Sequence, residues 1–360
     1  PCPLILAVPV ALVAGLSRAA HFGVLIKGAK PLESLARIRT LILDKTGTVT
    51  DGRPQVGWIH TPGAFTDDDI LYFAAALDQA SKHPIAQAIT SAARARGAAL
   101  PVPDHMVETA GEGVSGTIDG RKVVVGGAGF VAAQIGTSDL DSAVRDAGSV
   151  IVALAVDGKP AGHLVMADAL RVGTADLLSG LRRLGIGRIL LATGDRRAVA
   201  EAVTQGLRLD AIRADLTPDQ KVLVVLEERK NGPVMMVGDG VNDAPALAAA
   251  DIGVGMGARG AAASAQAADV GLLVDHLDRL LPGIEIAQRA RRIALESVFA
   301  GIGLSILGMI AAAFGYLTPV EGAVLQEVID FSVVLNALRA LKIEPRQIGR
   351  IDNPVAATVG

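Results

Sequence analysis

Residues 41–50 read LILDKTGTVT. Three aliphatic residues run into an aspartate, a lysine and then Thr-Gly-Thr. A short apolar run of this kind reads as a buried strand, with Asp44 at its carboxyl end. A carboxylate placed there either caps a turn or is there to react. Two more runs end the same way: RILLATGD closes on Asp195, and PVMMVGDG runs through Asp239. Between them lie the amphipathic stretches GTADLLSGLRRLG and DQKVLVVLEERK. Strands alternating with helices predict a parallel α/β sheet with crossover connections. Ligands of such sheets bind beyond the carboxyl ends of the strands, where all three aspartates fall.

The region from about 53 to 159 has another grammar. DDILYFAAALDQAS predicts a helix. GVSGTIDGRKVVVGG and SVIVALAVDGKPAGHLVM are each broken at Asp-Gly, which between apolar runs signals a hairpin. The reading is an α+β insert, residues 56–159, inside a parallel-sheet domain formed by 32–55 and 160–284. The alanine-rich 258–269 reads as helix.

Composition places the chain at a membrane. Of 360 residues, 51% are hydrophobic, and the net charge of −3 gives no sign of a nucleic-acid partner. Residues 3–16 and 297–317 carry no charge, and a span needs about 20 apolar residues. A third apolar stretch, 322–338, contains Glu327 and Asp330. The expectation is a partial transmembrane helix over 1–21 and full ones over 293–317 and 321–341. Arg18, Lys27 and Lys30 follow the first segment; Arg289, Arg291 and Arg292 precede the second; Arg339, Lys342 and Arg346 follow the third. The positive-inside rule then puts the large middle region in the cytoplasm, giving a multi-pass protein of the cell membrane. The chain starts with Pro1, and its first apolar segment is short, so an upstream part is expected; a signal peptide fits poorly without a basic start. The single cysteine, Cys2, allows no internal disulfide.

The strand-end loops read together as a phosphoryl-transfer site. Asp44 can attack phosphorus as a carboxylate nucleophile. Asp239 can join it around Mg²⁺, which prefers hard oxygen ligands. Thr193 and Gly194 offer a hydroxyl and an open backbone to phosphate oxygens. Lys221, in TPDQK near a helix start, can offset the accumulating negative charge. Glycines at 47, 194, 238 and 240 allow the backbone to approach closely.

DKTGT (residues 44–48), TGD (193–195) and GDGVNDAPAL (238–247) resemble the signature set of P-type ATPases, on a haloacid-dehalogenase-like fold. SKHP (81–84) and GEGV (111–114) resemble nucleotide-domain motifs of the heavy-metal-transporting subfamily, and PCPLILAVPVAL resembles its metal-site helix. The resemblance covers essentially the whole chain. It implies that Asp44 is the phosphorylated aspartate, with Lys45, Thr46, Thr193, Gly194, Asp195, Lys221 and Asp243 around it. It implies Mg²⁺ at Asp44, Thr46 and Asp239, and ATP at His83, Gly111, Glu112 and Gly113. Related phosphatases carry an acid-base aspartate two residues after the nucleophile. Here that position is Thr46, which leaves an acyl phosphate long-lived. The family's actuator motif, Thr-Gly-Glu, does not occur, so that domain is expected upstream.

The nucleotide motifs depart from the subfamily in two places. Asp78 stands where it usually has Glu, five before the motif histidine. Gly126-Gly127 stands where it has Gly-Asn. For the transported cation, Cys2 between prolines offers a soft ligand beside exposed carbonyls. Glu327 and Asp330, at i and i+3, add hard oxygens whose burial in a membrane costs about 2.5–3.5 kcal/mol each. The side-chain patterns of copper-, cobalt- and zinc-type members are not reproduced, so a divalent cation is expected with its identity open. Two other readings stand beside a pump: a membrane-tethered phosphatase of the same fold, and a non-transporting nucleotide-binding fragment.

Overall fold

The computed structural model describes residues 3–109, 111–137, 150–239, 243–256 and 267–346. They form two compact units. One comprises 1–49, 172–192 and 206–360; the other comprises 50–171 and 193–205.

The first unit is built on a seven-stranded sheet. Its strands are β1 (Val24–Ile26), β2 (Thr40–Asp44), β9 (Arg188–Ala192), β10 (Ala211–Arg213), β11 (Val234–Gly238), β12 (Ile252–Gly255) and β13 (Val270–Leu272). The order is β1-β13-β12-β11-β2-β9-β10. Every pairing is parallel except that of β1 with β13. β2 is therefore interior, hydrogen-bonded to β11 on one side and β9 on the other. Its five residues are all buried, as are the five of β11. Burial on both faces explains why these strands read as unbroken aliphatic runs rather than as alternation.

Helices supply the crossovers: α6 (Thr174–Arg183), α8 (Pro218–Arg229) and the short α9 (Ala244–Ala249). α8 begins where chemistry says it should. Thr217 and Gln220 cap each other's backbone N–H groups, and Pro218 takes the first helical position, where no N–H is needed. Val224 and Val225 then pack with Ile42, Leu190, Met236 and Leu247.

The second unit is an antiparallel sheet of six strands: β3 (Thr50–His60), β4 (Asp104–Thr109), β5 (Gly113–Ile118), β6 (Arg121–Gly126), β7 (Val150–Val156) and β8 (Lys159–Leu170). The order is β3-β8-β7-β6-β5-β4. Both Asp-Gly pairs make the expected turns: Asp119 and Gly120 have φ of 52° and 76°, Asp157 and Gly158 of 50° and 74°. Two consecutive positive φ values define the type I′ turn that matches strand twist. α3 (Asp67–Asp78) and α4 (Pro84–Ala95) bury Ile70, Leu71, Leu77 and Ile89 against Val123, Leu154 and Leu164. α5 (Ala128–Ile135) covers the opposite face at Val124, Ala153 and Ala155. α7 (Arg197–Val203) completes the unit and lies against β8.

Three segments differ from the sequence reading. Residues 50–55 and 160–170, expected in the parallel-sheet domain, lie in β3 and β8 of the antiparallel sheet, and residues 193–205 group with the second unit. The Asp157-Gly158 turn explains the placement of β8, because a hairpin needs both of its strands in one sheet.

Three helices carry the apolar ends: α1 (Pro3–His21), α10 (Leu280–Ala313) and α11 (Pro319–Ala337). α1 packs on both others, closely enough that a Cβ on Gly15 would come within 2.8 Å of the Ala290 Cβ. Among the described residues, one helix is long and apolar enough to cross a membrane, over Leu277–Ala313. The apolar part of α1 is shorter, Ala7–His21. α11 carries Glu321, Glu327 and Asp330 among outward-facing Val324, Val328 and Phe331. Spans at both ends therefore rest on one helix by length and composition. Cys2, Gly240 and most of the alanine-rich 258–269 lie outside the described residues.

Candidate active site and nucleotide pocket

Asp44 closes β2, and the chain leaves it through a tight turn over Lys45–Val49. Gly47 makes that turn possible. Its φ is 71°, and a Cβ there would sit 3.2 Å from Asp239 Oδ2. The loop thus lies against the aspartate that follows β11. Lys45 and Thr48 are buried in the turn, while Thr46 is exposed at its tip.

Lys221, in the first turns of α8, reaches this strand end. Its Nζ donates to Asp44 Oδ1 at 2.6 Å and to Asp243 Oδ1 at 2.7 Å. All three groups are buried. Asp243 stands at the N-cap position of α9, but its side chain makes no capping bond. It serves the lysine instead. Gly238 permits the approach, since a Cβ there would fall 2.8 Å from Asp243 Oδ2.

Burial, then the Asp243 carboxylate, push Asp44 up to about 7; Lys221 opposes them and Asp239 adds to them. Burial alone would favour a neutral Lys221, but Asp44 and Asp243 together hold its ammonium above the usual lysine range. The site is short of positive charge at Asp44. Asp44 and Asp239 bring carboxylate oxygens, which suit Mg²⁺, and a divalent cation would relieve the potential that resists ionisation of Asp44. Among the described residues no three His, Cys, Asp or Glu groups gather as a metal site.

Thr193, Gly194 and Asp195 follow β9 directly and belong to the second unit. Thr193 is buried, and its Oγ1 accepts from the Asp195 backbone N–H at 3.1 Å. That bond fixes the TGD loop as a turn.

The second unit holds a cavity of about 910 Å³. His83, Gly111, Glu112 and Gly113 all line it, so the two nucleotide motifs come together although nearly thirty residues separate them. His83 caps α4: its Nδ1 accepts from the Ile85 N–H at 3.3 Å. Its own backbone N–H donates to Ser81 Oγ at 3.3 Å, and Ser81 Oγ donates to Glu108 Oε1 at 3.0 Å. Gly111 has φ 79°. Gly113 and Gly126 are paired across β5 and β6, and a Cβ on either would meet backbone oxygen at 2.4 Å. The glycines therefore keep a strand crossing tight and leave the wall open to Phe130.

Asp78, Glu108 and Phe130 also line the cavity. Burial and then Glu108 push Asp78 up to about 7. The sequence pointed to Asp78 through its distance from His83. It carried no signal for Glu108 or Phe130, which reach the cavity from β4 and α5.

The proposed cation ligands divide. Asp330 is buried and accepts from Gln326 Nε2 at 2.9 Å, and Gln326 Oε1 accepts from Ser305 Oγ on α10 at 3.0 Å. Glu327 is exposed. Of the two acids, Asp330 faces the helix packing and Glu327 faces away from it.

The haloacid dehalogenase-like hydrolase family matches residues 38–251. The chain is 38% identical over 352 residues to the silver-exporting P-type ATPase of Salmonella typhimurium, covering 94% of this chain and 42% of that protein. It is 34% identical over 349 residues to the copper-exporting P-type ATPase of Bacillus subtilis (strain 168), covering 96% and 43%. Its fold matches the crystal structure of a zinc-transporting PIB-type ATPase in the E2.Pi state with a TM-score of 0.80 at 32% identity, covering 95% of this chain and 56% of that one. The chain thus spans less than half the length of these two curated relatives. Similar in sequence along nearly its whole length and in fold across both units, it belongs to the haloacid dehalogenase-like hydrolases and, within them, to the heavy-metal P-type ATPases.

Proposed function

We propose that this chain is the catalytic portion of an ATP-driven membrane pump for a transition or heavy-metal cation, working through an aspartyl-phosphate on Asp44. One observation carries the reading: Asp44 ends a central parallel strand and shares a buried lysine with Asp243. An Asp44 carboxylate oxygen attacks the γ-phosphorus of ATP; the bond to the bridging oxygen breaks, and ADP leaves with that electron pair. Lys221 offsets charge on the phosphoryl oxygens, and Asp243 keeps it aimed at Asp44. Mg²⁺, held by Asp44, Asp239 and Thr46, would supply the positive charge that the nucleophile lacks. Thr193, Gly194 and Asp195 are assigned to phosphate contacts, and Lys45 to support of the turn. No carboxylate stands at residue 46 to activate water, so the acyl phosphate persists.

The cavity of the second unit is the nucleotide site. His83, Glu112 and the backbone at Gly111 and Gly113 contact the nucleotide, and Phe130 offers a face to the base. The domains follow the two units: a phosphorylation domain on the parallel sheet and a nucleotide-binding domain on the antiparallel one, with α10 and α11 in the bilayer and the catalytic units cytoplasmic. The relatives' names carry silver, copper, zinc and manganese, which favours a transition or heavy-metal cation, and Asp330 is a buried carboxylate on α11 that such an ion could meet.

The test is labelling with γ-³²P-ATP and Mg²⁺, acid quench and hydroxylamine treatment, with Asp44→Asn alongside. A hydroxylamine-sensitive label that vanishes in Asp44→Asn is expected, a loss on the order of 10³-fold or more. No label, or phosphate released as fast as it is bound, would favour the tethered phosphatase or the inert fragment.

A further inference from the structure

A pair of histidines in the second unit takes no part in either site above. His60, the last residue of β3, lies directly opposite His163 on β8. Their ring centroids are 4.9 Å apart, with planes inclined at 38°. The neighbours Ile59 and Leu164 pack into the core under α3 and α4. Alternation along a strand therefore turns both imidazoles to the other face. His60 is exposed and His163 half-buried, so the pair is open to solvent from the strand end. The nucleotide cavity is lined by other residues.

The spacing can be tested against coordination chemistry. A metal–nitrogen distance of about 2.0–2.1 Å plus the radius of the imidazole ring puts each centroid about 3.2 Å from a shared ion. Two rings at a right angle about that ion would have centroids about 4.5 Å apart, and two at a tetrahedral angle about 5.2 Å. The observed separation falls between the two. It also suits simple stacking of the rings, so the experiment has to separate those cases.

We propose that His60 and His163 form a cross-strand chelate for a divalent transition-metal cation, Cu²⁺ first and Zn²⁺ and Ni²⁺ after it, with water completing the coordination. Imidazole pairs select these ions over Mg²⁺ and Mn²⁺. The site thus distinguishes a transition-metal cation from the Mg²⁺ that accompanies ATP. β3 is an edge strand of the sheet, and an ion held between β3 and β8 would fasten that edge.

The experiment is a Cu²⁺ titration of the whole purified chain followed by electron paramagnetic resonance, comparing the parent with His60→Ala and His163→Gln. His105→Ala, on β4, serves as control. In the parent, one equivalent of bound Cu²⁺ should show coupling to two imidazole nitrogens. It should weaken by about 100-fold in each single variant, the order of avidity gained from tethering a second ligand. His105→Ala should leave that equivalent unchanged. Zn²⁺ should displace the Cu²⁺ signal only in large excess, and millimolar Mg²⁺ should not displace it. His60 is exposed, so His60→Ala keeps the test decisive if His163→Gln disturbs packing. An unchanged spectrum and affinity in His60→Ala, or a parent spectrum with no imidazole pair, would overturn the site and leave a stacked ring pair.

Discussion

Asp44 and Asp78 are both pushed up to about 7, and they stand in different units for different reasons. Burial comes first at each. Asp44 then has a partner of opposite charge, Lys221, hydrogen-bonded to it and shared with Asp243. Asp78 faces Glu108, a second acid. The first arrangement can sustain ionised groups away from water, and added positive charge tips Asp44 to its reactive form. The second favours a protonated carboxyl that can donate a hydrogen bond into the nucleotide cavity. A similar titration midpoint thus belongs to the proposed nucleophile in the parallel sheet and to an acid lining the cavity of the antiparallel one.

Removing the shared cation should break the contrast most severely. Lys221→Ala leaves Asp44 and Asp243 buried without their ammonium. A cost of about 3–5 kcal/mol in unfolding free energy is expected at pH 8, with phosphorylation lost. The cost should shrink at pH 5, where protonation of the carboxylates removes the repulsion. Denaturant unfolding at the two pH values checks it, and equal losses at both would contradict the charge argument.

Asp78→Asn tests the other half. The folded midpoint of about 7 lies above the ordinary 3.8, so the folded state holds the proton through the window between them. Stability therefore falls as pH rises from about 4 to about 7 and is level above. Asparagine removes that slope. The variant should be more stable than the parent at pH 8, by up to about 4 kcal/mol at the ceiling of about 1.4 kcal/mol per pH unit. At pH 4 the two should be nearly equal. A variant less stable than the parent at pH 8 would show that Asp78 is ionised and held by a partner.

The smallest effect should come from Phe130→Ala. If the ring stacks on the nucleotide base, its loss costs about 1–3 kcal/mol, or about 5- to 150-fold in ATP affinity, with Tm little changed because the side chain is only partly buried. Isothermal titration with ATP reads it. An unaltered affinity would move the base away from α5.

Much of this molecule is legible in the chain because its signals are local. A short aliphatic run between turns reads as a strand buried on both faces, and β2, β9 and β11 are such strands. Asp-Gly places both hairpins, since few other pairs accept two positive φ values in succession. The phosphorylation motifs are contiguous and legible for the same reason. The end of the insert was less so: the hairpin at Asp157-Gly158 extends past residue 159, and only the pairing of β8 with β3 and β7 shows how far.

By itself, the sequence determined three central strands, the two hairpin turns and the family resemblance, and it singled out Asp44. Tertiary structure decided what crosses long distances in the chain. Lys221 is 177 residues from Asp44, and nothing local reveals that its amine is shared with Asp243 rather than left to the phosphate alone. Asp243 looked like a helix cap, but the buried ammonium is the stronger partner, and the side chain turns to it. Phe130 and Glu108 reach the nucleotide cavity, and His60 meets His163, only once six strands have chosen their order. Local propensity acts over a few residues. Pairing register and burial act over the whole domain, and they set which side chains meet.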